Sequence, residues 1–191
     1  MPENNSVEDS YNPPPVATEF EEHLFEDIES DDLSRKDYRV VKVFLDQHSV
    51  VRWNPEVDRE RKVAIYDLLE ENYFQPVSKI SGPYKLILGI EENRLVFFLK
   101  SSKSAASQER ILLPMSGLRR VVKDYFTVCE SYHNAIKYAR PNQIEALDVG
   151  RKGLHDEGSQ MLLETLKGKA EVDFSTARRL FTLICVMQLR N

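Results

Sequence analysis

The chain has 191 residues, 41% of them apolar and 30% charged, with a net charge of −5 at neutral pH. That is an ordinary globular composition, with room for one domain and a tail but not for two comfortable domains. No basic-then-apolar leader opens it and no run reaches the roughly 20 apolar residues of a bilayer span, so neither a secretory signal nor a membrane segment is expected.

Charge is unevenly spread. Residues 1–36 hold eleven carboxylates against only Arg35 and Lys36, a net of −9, while the remainder holds 20 acids and 24 bases, a net of +4. Rich in Asn, Ser and Pro13–Pro15, residues 1–36 lack the apolar side chains that would offset ordering entropy and read as a disordered acidic tail. Within it Phe20, Leu24 and Ile28 recur at helical spacing. They suit either a transient solvated helix or an acidic peptide that docks on a basic face.

Residues 37–191 read as a single α+β domain. Tyr38–Leu45 is β-branched and aromatic, as a strand is. After a loop holding His48, Arg52 and Trp53, Asn54 and Pro55 open a helix whose stripe is Val57, Ala64, Ile65, Leu68 and Leu69. Tyr84–Ile90 and Leu95–Lys100 flank a short polar Glu91–Arg94 and predict an antiparallel hairpin. Arg110–Leu113 predicts a fourth strand, after which strands are expected to stop.

From Pro114 the pattern is helical. Leu118, Val121, Val122, Tyr125, Cys129, Tyr132 and Ile136 share one helical face. Residues 141–167 suit one long helix or two broken near Gly150–Gly158, since each interior glycine costs about 1 kcal/mol against alanine. Gly168 closes that element, and Asp173 or Ser175 caps the last one. From Leu180 to Leu189 only Thr182 and Gln188 are polar, so the final helix is expected to be buried on several sides. The order of elements predicts a small antiparallel sheet of three to four strands packed against a helical C-terminal half with a buried last helix.

Chemistry concentrates in two places. Ser116 and Ser175 each stand as a capping serine three residues before an arginine pair, Arg119–Arg120 and Arg178–Arg179, at the expected opening of an apolar helix. Cations there oppose the helix dipole. Either local acids such as Asp124, Asp156 and Glu157 compensate them, or the guanidinium groups bind a phosphate or carboxylate. The second place is Gly150–Gly158. On a helix, Asp148, Lys152 and Asp156 form a solvated ladder, and Gly150, Leu154 and Gly158 allow close backbone approach. On a loop, His155 beside Asp156 and Glu157 would make an acid–base or anion-contact cluster.

Other signals argue against particular functions. Cys129 and Cys185 lie among apolar residues and read as reduced core thiols, and His133, one turn after Cys129, as a core or interface residue. No metal site and no cofactor are indicated: two cysteines cannot make a four-cysteine zinc site, and no Gly-x-Gly-x-x-Gly, Walker-type or Gly-x-Ser-x-Gly motif is present. A net of +4 without a basic stripe argues against nucleic acid as a partner.

Four runs carry a resemblance: Leu118-Arg-Arg-Val-Val-Lys-Asp-Tyr-Phe126, Pro141-Asn-Gln-Ile-Glu-Ala-Leu147, Gly150-Arg-Lys-Gly-Leu-His-Asp-Glu-Gly-Ser-Gln160 and Val172-Asp-Phe-Ser-Thr-Ala-Arg-Arg-Leu-Phe-Thr-Leu-Ile-Cys-Val186. They resemble a family of small uncharacterised alphaproteobacterial proteins, with weaker likeness through Asn54–Asn72 and Gly82–Tyr84. The resemblance implies a bacterial cytosolic protein, brings no catalytic residues, and leaves the tail as an extension beyond the family's usual start. Two functions are open. One is a non-enzymatic cytosolic binding or regulatory module with a protein partner. The other is a small enzyme or sensor for a phosphorylated or carboxylated metabolite, with Arg119, Arg120, Arg178 and Arg179 on the anion and His155 with Asp156 or Glu157 for acid–base work.

Overall fold

The computed structural model describes residues 37–46, 55–78, 80–104 and 106–188. The acidic tail with Phe20, Leu24 and Ile28, the loop of His48, Arg52 and Trp53, and the Asn54 cap lie outside the described residues. In chain order the elements are β1 (Val40–Leu45), α1 (Pro55–Glu70), β2 (Phe74–Pro76), β3 (Tyr84–Glu91), β4 (Arg94–Ser101), β5 (Gln108–Pro114), α2 (Ser116–Tyr138), α3 (Pro141–Leu166), β6 (Ala170–Val172) and α4 (Phe174–Gln188).

The expected hairpin is present. Glu91 pairs with Arg94, and Glu92 and Asn93 between them have φ of 45° and 65°. Two left-handed residues make the turn whose twist matches that of the flanking strands. β5 then pairs antiparallel with β4, giving the order β1-β3-β4-β5. β1 runs parallel to β3, so the sheet is mixed rather than wholly antiparallel. The reason lies in the connection: α1 sits between these strands in the chain, and a crossover of that length returns the chain to the same end of the sheet.

Strands also do not stop at β5. β6 pairs antiparallel with β2, Phe74 opposite Val172 and Pro76 opposite Ala170. Three residues are too few to show a period, which hides both strands from a reading of alternation. Phe74 ties this ribbon to the main sheet by stacking on Phe97 at 6.0 Å.

The last helix is the centre that its composition predicts. Leu180, Phe181 and Leu183–Met187 are all buried, and all but Val186 join one cluster with Leu86, Leu88, Leu95, Phe97, Leu99 and Leu113 from the sheet, Leu68 from α1 and Leu118 from α2. Asp173 caps it, its Oδ1 accepting the Thr176 N–H at 2.6 Å. Ser175 donates its hydroxyl to the same carboxylate, at 2.8 Å, and is not itself the cap. At the start of α2 the residue before the helix is Met115, which offers no side-chain cap, so Ser116 is not a capping serine either.

Residues 141–166 form one helix, not two. Gly158 is required there: a Cβ would come within 2.1 Å of the Phe181 ring, so its absence lets α3 and α4 touch. Gly168, at φ 74°, turns the chain out of α3 as a glycine after a helix end does.

Candidate functional site

Where α2, α3 and α4 meet, His155 is 9% exposed. Its ring lies between the edges of Tyr125 and Phe181, at centroid distances of 5.4 and 5.3 Å. Nε2 stands 2.9 Å from the Thr182 hydroxyl, whose own proton is directed to the Arg178 carbonyl at 3.2 Å. That arrangement makes Nε2 the donor and leaves Nδ1 as a buried acceptor with no hydrogen-bond partner among the described residues. Burial, reinforced by the Arg178 and Arg151 cations, lowers the imidazole pKa from 6.5 to about 4. The residue is thus held neutral and shut away from solvent.

The neighbouring charges are compensated within the fold. Arg178 forms an ion pair with Asp156 and lies 5.9 Å over the Phe174 ring. Asp148 accepts from both Lys152 and Arg151, at 2.7 Å each, and these contacts hold its carboxyl below the usual range. The expected ladder therefore closes at Asp148 and Lys152, while Asp156 turns to α4. Arg151 also stacks over Tyr132 at 5.4 Å and reaches the Tyr125 hydroxyl, whose pKa burial pushes well above the usual tyrosine range.

Of the four arginines, only Arg178 meets the 155–156 segment. Arg179 turns the other way and donates to the Glu71 carbonyl at the end of α1. Arg120 runs along its own helix to Asp124, 3.8 Å away, and Arg119 and Glu157 are exposed. Tyr125, Arg151 and Thr182 complete the junction; a sequence reading could find them only through their helical spacing to Cys129, Asp148 and Arg178. Neither Cys129 nor Cys185 is in a disulfide, and no group of three metal-ligating side chains occurs among the described residues.

Beyond this junction α2 and α3 continue as an antiparallel hairpin. From Thr127 to Tyr138 and from Pro141 to Gly150 no residue is fully buried. Ile136, on the stripe that holds Val122 and Cys129, is 53% exposed; Val149 is 64% and Tyr138 90% exposed. An apolar face predicted to be continuous is thus covered or half-covered as far as Tyr132 and exposed at its last position, Ile136.

A small α+β protein with a sealed histidine and a projecting two-helix arm is therefore the class defined by fold and site. No described helix is long and apolar enough to cross a membrane. The chain belongs to a family of alphaproteobacterial proteins, described as Uncharacterised protein family (UPF0262), whose model matches residues 37–190. It is 49% identical over 155 residues to a UPF0262 protein of Rhizobium etli, covering 81% of this chain and 98% of the relative. A UPF0262 protein of Brucella canis is 54% identical over 154 residues, covering 80% and 95% respectively. No solved structure matches the chain.

Proposed function

We propose that this protein is a cytoplasmic, non-enzymatic binding or regulatory module that engages a protein partner through the distal half of the α2–α3 hairpin. The observation that carries it is the set of large apolar side chains that the distal hairpin leaves exposed: Ile136, where the α2 stripe ends, with Tyr138 near the turn and Val149 on α3. Large apolar side chains left exposed on ordered elements are a common mark of protein contact. The sealed, neutral His155 adds support, because an acid–base group must reach the proton that it moves.

The test is a photo-crosslinking residue placed at Tyr138 in the full chain, with one at exposed Glu70 as control. A discrete adduct at position 138 that disappears in Ile136→Asp is the expected result. Equal capture at both positions, or none at either, would end the reading. The metabolite reading keeps one support: Arg119 is exposed and makes no ion pair among the described residues. It predicts a thermal shift with a phosphate or carboxylate, about 2.7 kcal/mol at 100 times the dissociation constant, that Arg119→Ala removes.

A further inference from the structure

The two outer strands of the main sheet end differently. At β1 the outward N–H and C=O of Val40 are both taken by the Asn72 side chain, at 2.6 and 2.8 Å, and the Tyr38 carbonyl accepts the Phe74 N–H at 2.8 Å. An amide side chain thus stands where a neighbouring strand would.

At β5 the direction of each backbone group follows from two hydrogen bonds at the ends of the β4–β5 ladder. Ser101 donates to Ser107 at 2.9 Å and Met115 to Asn93 at 3.3 Å. Antiparallel pairs alternate between bonded and non-bonded, so Glu109, Ile111 and Leu113 exchange bonds with β4. Gln108, Arg110 and Leu112 then aim their N–H and C=O groups away from the sheet, and Pro114 a carbonyl alone. Among the described residues β5 has no neighbour on that side.

Along this side lies a cleft of about 400 Å³, within the size range of ligand sites. Arg110, Ile111 and Leu112 form one wall; Val77, Ser78 and Lys169, from the end of the β2–β6 ribbon, form the other. The second wall is held in place: Ser78 donates to the Glu109 carboxylate, and the Val77 N–H to the Lys169 carbonyl at 2.9 Å. Val77, 58% exposed, gives the cleft an apolar surface. Its charges are nearly all matched, since Glu109 is held by Ser78 and Arg110 pairs with Glu91. Lys169 is exposed and makes no ion pair among the described residues.

Unpaired strand groups at a two-residue repeat are matched by one kind of ligand, another extended backbone. We propose that the β5 cleft receives an extended segment of a partner polypeptide as a fifth strand. The partner's backbone bonds to Arg110 and Leu112, an apolar side chain rests on Val77, and an acidic side chain meets Lys169. This surface is separate from the helical arm, so each proposal stands or falls by its own residues.

The experiment uses the full chain and a phage-displayed random dodecapeptide library, read out by amide hydrogen exchange. In the chain alone, the Arg110 and Leu112 amides are expected to exchange fast, with Ile111 and Leu113 protected. Selected peptides are expected to carry an acidic residue and to protect Arg110 and Leu112. Leu112→Pro, which removes an outward N–H only, should weaken them about tenfold, and Lys169→Glu, at an exposed position, should do the same without touching the ladder. Protection already present in the chain alone would mean that its own residues cover the edge. Protection that rises with protein concentration would mean that a second copy does. Either result overturns the proposal, as would a library that yields no peptide protecting these two amides.

Discussion

Two ends of one sheet show opposite treatments of the same chemical problem. At the start of β1 both outward groups of Val40 meet Asn72, whose amide nitrogen also donates to the Leu68 carbonyl at 2.7 Å and so ties this end of the strand to the end of α1. At β5 the equivalent groups face a cleft whose far wall is held by Ser78 on Glu109. Natural edge strands are usually covered, twisted away or charged, because an open one pairs with whatever extended chain it meets. One side chain caps the start of one outer strand, and no described residue does the same for the outward groups of the other.

The largest effect should come from opening the closed edge. Asn72→Ala removes three hydrogen bonds and leaves the Val40 N–H and the Val40 and Leu68 carbonyls without partners. A buried orphan costs about 1–3 kcal/mol, so a total of about 4 kcal/mol is expected in urea unfolding. A loss under about 1 kcal/mol would mean that β1 does not depend on Asn72, and the contrast between the edges would disappear.

The helix junction behind the sheet has its own signature, in pH. His155 has a folded pKa of about 4 against 6.5 unfolded. Between those values the unfolded chain binds a proton that the folded chain refuses. The associated stability is therefore complete above pH 6.5 and falls as the pH drops toward 4, by roughly 3 kcal/mol in all. Urea midpoints at pH 7 and pH 4.5 for wild type and His155→Phe measure it, with the slope expected to be shallower in the variant. Equal slopes would mean that the ring reaches solvent, and the acid–base reading would regain its ground.

How much of this was legible in the sequence depends on how far apart the deciding residues are. The buried last helix and the helical period of α2 were legible because each shows within a few turns, as Leu180–Met187 and Leu118–Ile136 do; how far the α2 stripe is covered was not, since Ile136 is exposed. The Arg178–Asp156 pair was open to a guess at local acids. His155 was not legible: whether it is an acid–base group or a packed ring is decided by Tyr125, Thr182 and Phe181, which lie 26 to 30 residues away in the chain. The edges were hidden more deeply still. Edge status depends on strand order and on the parity of the hydrogen-bond ladder, and Asn72 by itself reads only as a residue after a helix. The parallel β1–β3 pair was missed for the same reason, since direction is a property of the connection.

At the open edge a comparable insult should cost little. Leu112→Pro removes an N–H that no described residue accepts, so the folded chain loses no hydrogen bond, and the unfolding free energy should move by less than about 1 kcal/mol. Set beside Asn72→Ala, this is a difference of several-fold between two substitutions that each act on one outer strand. Were Leu112→Pro as damaging as Asn72→Ala, β5 would already be paired.

The smallest expected effect is at the arm. Ile136→Asp places a carboxylate on a surface that is 53% exposed, where substitutions usually stay within about 0.5 kcal/mol. The same stripe offers an internal control at Val122, one heptad pair closer to the core and 2% exposed. Val122→Asp would bury a charge without a partner and should unfold the helix junction. The two substitutions make the same chemical change on the same helical face, so the difference between them measures where the core ends. If Ile136→Asp destabilised nearly as much as Val122→Asp, the arm would be part of the core, and its apolar end would need no partner to explain it.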